Sequence, residues 1–312
     1  MVSTPLSLSI LLISTVPYCQ AGSQSGSTEQ RLPRSHWKRG QSSSSNSRNV
    51  PSEGYYDPRA NGGLMLTKVP VTYPMGQGEP LNAIISGNSD AAVLKDQETQ
   101  GGLRNYFLSL GFSGECLGQH SGEDQAADLG DGHGTKNETA VIRWNYGDPQ
   151  LGSCKETVQG GNHFRYWVQD GPNTNSGAVF MAVSYEKPLN DGHDIIQNGY
   201  SLGRDWLVGN ITNTTIPTAN LTNGMNFSAN SWSGGYEYQS DVRYITGLLD
   251  NTNDAINHNI TVSGPGFNAS DGFVAVIEVK LITKPPKSLA IITLPSLWQA
   301  SIILGLLSLV LS

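Results

Sequence analysis

The segment His163-Phe164-Arg165-Tyr166-Trp167 carries the densest chemistry in the chain. Residues two apart along a strand share a face, so His163 and Arg165 point the same way, with Trp167 beyond them. Arg143 lies in Val141-Ile142-Arg143-Trp144-Asn145-Tyr146, a segment that reads as a neighbouring strand. Two guanidinium groups beside an imidazole suit an anion, because the planar fork of arginine matches phosphate or carboxylate oxygens. Adding Arg204 as a further anion clamp, with His163, His193 and Asp205 as acid/base candidates, describes a hydrolase acting on an anionic or phosphoester group. The competing expectation is structural: Arg165 pairs with Asp205 or Glu186, or stacks on Trp167. Ion-pair networks are commoner than sites, so the structural reading is preferred.

Other chemistries find less in the sequence. His120, His133, His163, His193 and His258 show no H-x-H or H-E-x-x-H spacing, so no metal is assigned. The loop Asp128-Leu129-Gly130-Asp131-Gly132-His133-Gly134 departs from the EF-hand pattern and reads as an acidic solvated turn. There is no nucleophile elbow, Walker loop or dinucleotide fingerprint, and no cofactor is assigned. Paired carboxylates for glycoside hydrolysis cannot be located by spacing alone.

The chain that must position these residues has 312 residues, a net charge of −7 and only 14% charged residues. Lacking a Lys/Arg-rich stretch, it makes no basic footprint for nucleic acid. Residues 1–21 read as a secretory signal peptide, with an apolar run from Leu6 to Val16 before Cys19-Gln20-Ala21. Residues 22–62 read as a disordered Ser/Gly-rich arm with a dibasic processing pair, Lys38-Arg39. Residues 288–312 are an uncharged apolar tail, either a glycolipid-anchor signal or a spanning helix, and the expected partner is a membrane. N-x-[ST] sequons begin at Asn137, Asn210, Asn213, Asn220, Asn226, Asn259 and Asn268. Removing the signal leaves Cys116 and Cys154, and one bridge between them is the economical reading in an oxidising compartment.

Between the ends, residues 63–284 read as one α+β domain, a mixed sheet with few helices. Leu81–Ile85 reads as a strand, followed by a helix with a cap at Ser89 or Asp90. Leu103, Tyr106, Phe107 and Leu110 recur at helical spacing before Gly111. Strands follow at Asn162–Val168, Ala178–Val183, Tyr236–Ile245 and Gly272–Ile282, with a short helix at Asp205–Val208. In order, Pro80-Leu81-Asn82, His163 to Trp167, Ala178 to Tyr185, His193-Asp194-Ile195, Arg204 to Val208 and Asp271 to Val276 resemble the motifs of the LssY C-terminal domain family. Over its whole length the chain also resembles fungal cell-surface proteins. It departs from the LssY pattern in the Cys116–Cys154 region, in its glycosylated insertions and in Gly203, where the family tends to have an acidic residue. The resemblance implies a fold and a membrane association, and supplies no catalytic residues. The expected protein is a secreted, glycosylated module at the plasma membrane or cell wall, binding a cell-wall or small anionic ligand or serving structure.

Overall fold

The computed structural model describes residues 47–286 except Gln119 and Ser121. The expected signal peptide, dibasic pair and apolar tail lie outside the described residues. Among the described residues, no helix is long and apolar enough to cross a membrane.

The strands are β1 (Ala83–Ile85), β2 (Phe112–Gly114), β3 (Ala126–Asp128), β4 (Thr135–Asn137), β5 (Ala140–Trp144), β6 (Gly161–Asp170), β7 (Asn175–Glu186), β8 (Asn226–Ser233), β9 (Tyr236–Ile245), β10 (Asn251–Thr252), β11 (Ser270–Asp271) and β12 (Val274–Thr283). The helices are α1 (Leu103–Ser109), α2 (Gly152–Gln159), α3 (Gly199–Thr212) and α4 (Asn259–Val262). Eight strands make one sheet in the order β2-β5-β6-β7-β1-β12-β9-β8. Only β1 and β12 run parallel, so the sheet is mixed and the domain is α+β, as its strand and helix patterns predict.

Period-two alternation divides the core between the two faces. One face carries Phe164, Tyr166, Val179, Met181, Val183, Ala275 and Ile277, covered by Tyr106 and Phe107 of α1 and Leu207, Val208 and Ile211 of α3. The other carries Trp167, Ala178, Phe180, Ala182 and Val276, covered by Met65, Ala127, Leu129, Leu248 and Leu249. The continuous apolar run of β7 is therefore covered on both sides, as such runs usually are. Asn82 locks β1 in place: its Nδ2 donates to the carbonyls of Val183 and Tyr200, and its Oδ1 accepts from the Val183 amide.

Several boundaries differ from expectation. The arm does not run free to residue 62. The Asn49 amide donates to the Asn175 carbonyl, Tyr56 exchanges two hydrogen bonds with the Gln169 side chain, and Tyr55 packs edge-on against Phe180. Two tyrosines in an otherwise polar stretch suffice to seat it. No helix starts at Ser89 or Asp90; their side chains instead accept the β12 amides of Val279 and Leu281. The helix expected at Asp205–Val208 is the middle of the 14-residue α3. Its three glycines dilute the helical signal, but Gly203 is required by contact: a Cβ there would lie 2.6 Å from the Ser184 carbonyl carbon. This close approach excludes the acidic residue of the LssY pattern.

Candidate functional site

Cross-strand register builds the site. Arg143 on β5 lies opposite His163 on β6, which lies opposite Ser184 on β7. Arg165 and Glu186 extend the same face by one position in either direction. Here the sheet is covered by carboxylates rather than apolar groups. Glu79 precedes β1, Glu115 follows β2, Glu138 follows β4, Glu156 lies on α2, and His193 comes from the turn after β7. The Cys116–Cys154 disulfide, with Cα atoms 5.0 Å apart, joins the segments that bring Glu115 and Glu156 over Arg143.

Arg143 is buried and faces three acids: Glu156 Oε2 at 2.9 Å, Glu115 Oε1 at 3.4 Å and Glu186 Oε2 at 3.6 Å. Burial works against its charge, but Glu156, Glu186 and Glu115 hold its pKa above the ordinary value. Arg165 Nε lies 3.0 Å from Glu138 Oε2, and its Nη1 lies 3.9 Å from Glu79 Oε2. Each arginine is therefore ion-paired within the protein. The partners differ from the expected Asp205, and Glu186 faces Arg143 more closely than any contact it makes to Arg165.

His163 is fully buried. Its Nε2 is 3.3 Å from both Arg165 Nη1 and Ser184 Oγ. Arginine can only donate, so Nε2 accepts and the ring proton sits on Nδ1, facing Glu186 Oε2 at 3.5 Å. Desolvation, then the charges of Arg143 and Arg165, depress the His163 pKa well below its usual value and keep the ring neutral. Glu186 Oε2 also lies 3.2 Å from His193 Nε2. Burial likewise lowers the His193 pKa. Desolvation raises Glu156 and Glu186 to about 7 against the opposing pull of Arg143, and burial raises Glu138 despite Arg165.

Polar satisfaction marks this cluster out. Among the described residues, thirteen buried side-chain polar atoms make no hydrogen bond; six of them belong to Glu79, Glu138, Glu156, His163, Glu186 and His193, and a seventh is Arg165 Nε, which is ion-paired with Glu138. Such atoms are rare in folded proteins and call for an explanation. The cluster borders a cavity of about 420 Å³ whose lining includes Gln77, Glu79, Gln125, Arg165, Glu186 and His193. At its rim, Val71, Tyr73 and Ile260 are 84%, 97% and 86% exposed.

The remaining candidates lie elsewhere. Arg204 and Asp205 belong to α3 and do not join the His163 cluster. All five Arg204 N–H groups are used, by both carboxylate oxygens of Asp205, both of Asp271 and the Phe273 carbonyl. Tyr244 donates to Asp205 Oδ1 at 2.7 Å. This corrects the expected anion clamp at Arg204 and acid/base role at Asp205: neither has a free polar atom to offer a ligand. A separate cavity of about 670 Å³ borders α3 beside Trp206, Asn210 and Thr214.

Of the acidic turn, Asp131, His133 and Asp170 converge, but Lys136 Nζ already lies between the acids at 3.1 and 2.8 Å. Among the sequons, Asn137, Asn213, Asn220 and Asn226 are exposed. Asn210 is half-buried on α3, its Nδ2 turned inward without a hydrogen-bond partner. The fold also gathers Glu156, His163 and Glu186, whose ligand atoms lie within 4.8 Å of one another, and likewise His120, Asp124 and Glu138. The sequence reading missed Glu79, Glu115, Glu138 and Glu156. The one available signal was the bridge, since Glu115 and Glu156 flank its cysteines. No protein-family model, curated protein or solved structure matches the chain.

Proposed function

We propose that the chain is an extracellular, N-glycosylated, membrane-tethered binding module, and that the cavity beside Glu186 and His193 receives a neutral, hydroxyl-rich ligand of the cell-wall polysaccharide class. The observation that carries this reading is the cavity lining. Carboxylates and amides of Glu79, Glu186, Gln77, Gln125 and Asn257 surround it, with Tyr73 exposed at the rim. Carboxylates accept sugar hydroxyls, amides both donate and accept, and an aromatic face packs on the C–H side of a sugar ring. Cavities of this size with a few convergent polar groups are the usual form of ligand sites.

A small anionic ligand, or a hydrolase acting on one through a His/Arg/Asp site, has less support. Arg143 and Arg165 face five glutamates, and Arg204 has no donor left. The Cys116–Cys154 bridge is consistent with an oxidising compartment. The LssY resemblance enters as a proposal about the fold: its motifs fall on β6, β7, β12 and α3 and beside β1. Titration calorimetry with soluble glucan and chitin oligomers tests the reading. Binding to one of them, weakened about tenfold in Tyr73→Ala, is the expected result, on the scale of one lost aromatic contact. Stabilisation by phosphate or sulfate with no response to sugars would restore the anion reading.

A further inference from the structure

The buried cluster that borders the cavity carries more than unpaired charge. Glu156 Oε1, His163 Nδ1, Glu186 Oε2 and His193 Nε2 are all buried and none has a hydrogen-bond partner. These are the atom types that bind transition metals. We propose that Glu156, His163 and Glu186 bind one divalent ion of the zinc class, with His193 closing the coordination shell. The inference goes beyond the polysaccharide reading and does not depend on it.

Three observations carry it. The first is spacing. Ligands about 2.1 Å from a tetrahedral ion stand about 3.4 Å apart. Glu186 Oε2 lies 3.5 Å from His163 Nδ1 and 3.2 Å from His193 Nε2, both close to that edge. The second is charge. Arg143 faces Glu156 and Glu186, and shares Glu115 with His120 at 2.7 Å, so the carboxylates here outnumber the one guanidinium. A dication would complement them. The third is the surrounding shell. Arg143 holds Glu156 through Oε2, leaving Oε1 free for the ion. Metal-binding histidines need an acceptor at the other nitrogen. With the ion on Nδ1, the ring proton moves to Nε2 and meets Ser184 Oγ at 3.3 Å, while Arg165 Nη1 turns to the unpartnered Glu79 Oε2. Binding requires no redox step.

Two nitrogens and two carboxylates suit zinc, cobalt or nickel rather than calcium or magnesium, which take oxygen-rich shells. The Asp131, His133 and Asp170 group offers less, because Lys136 already supplies its positive charge.

The test uses the secreted, chelator-stripped protein, titrated with zinc and separately with cobalt. One zinc per chain, and the visible absorption of four-coordinate cobalt, are the expected results. Glu186→Gln and His193→Ala should each weaken zinc binding at least about tenfold, judged by the effect of losing even an outer partner. His193 is partly exposed, so its variant should fold, which circular dichroism checks. Asp170→Asn should bind zinc as the parent does. Failure of the wild-type protein to bind zinc, or unchanged affinity in a folded His193→Ala, overturns the site. Neither readout involves a sugar, so failure of the polysaccharide reading leaves this result standing, and the reverse.

Discussion

Two buried charge clusters sit on one domain, and they differ in completeness. Around Arg204, one guanidinium meets two aspartates, every N–H is bonded, Tyr244 stacks beneath it and completes Asp205, and no side-chain polar atom of these residues is left over. Around Arg143 and Arg165, two guanidiniums face five glutamates, two histidines stay neutral, and seven buried atoms make no hydrogen bond. A closed network fixes helix to sheet. An open one stores the capacity to bind, because a low dielectric makes each unpaired group costly until something arrives. Both clusters have arginines and acids, so residue type does not separate them; satisfaction does.

The sharpest way to break this contrast is Arg204→Ala. It strands two buried aspartates and should cost about 3–5 kcal/mol, read by chemical denaturation of whatever protein is secreted. A loss below about 1 kcal/mol would mean the closed network is not structural. Next comes the Cys116→Ser, Cys154→Ser pair. Opening a 38-residue separation should cost about 2–4 kcal/mol. Because Glu115 and Glu156 flank the bridge, zinc binding should weaken as well, whereas the Arg204 network should be untouched.

The two clusters also differ in how they respond to pH. Burial pushes Asp271 up, but Arg204 more than offsets this and holds it below the usual carboxylate value. Its contribution is present above pH 3.8 and is lost as pH falls through the folded value. In the metal-stripped protein, Glu156 and Glu186 titrate near 7 rather than 4.5, so the folded state holds extra protons between those values. Their contribution is fully present below pH 4.5 and declines as pH rises through 7. The depressed His163 acts oppositely, its contribution being lost as pH falls below 6.5. Glu186→Gln should therefore reduce the alkaline-side loss by about 1 kcal/mol, in melts from pH 4.5 to 8. An unchanged profile would remove the argument that this carboxylate is held out of balance. The smallest stability effect belongs to Tyr73→Ala, which should lie within about 0.5 kcal/mol of the parent because the ring touches mainly solvent.

What the sequence reveals follows from the range of the interactions. Alternation in β6 is local, so the shared face of His163 and Arg165 is legible, as are the apolar run of β7 and the cysteine pairing. The acids arrive from segments between Glu79 and Glu186, and spacing rules such as H-E-x-x-H see only ligands on one helix or strand. The sheet order β5-β6-β7 brings them together, and that order is a property of the folded chain. Arg204 and Asp205 adjoin in sequence and read as site residues. Only the position of Asp271 on β11 shows their charges to be already matched.

The central claim is that the open cluster is completed by a metal ion and the closed one is not. Crystals soaked in zinc and measured at the zinc absorption edge test it directly. The account predicts one anomalous peak within about 2.1 Å of His163 Nδ1 and Glu186 Oε2, and none near Arg204. An empty His163 site, or a peak only at Asp131, His133 and Asp170, would contradict it.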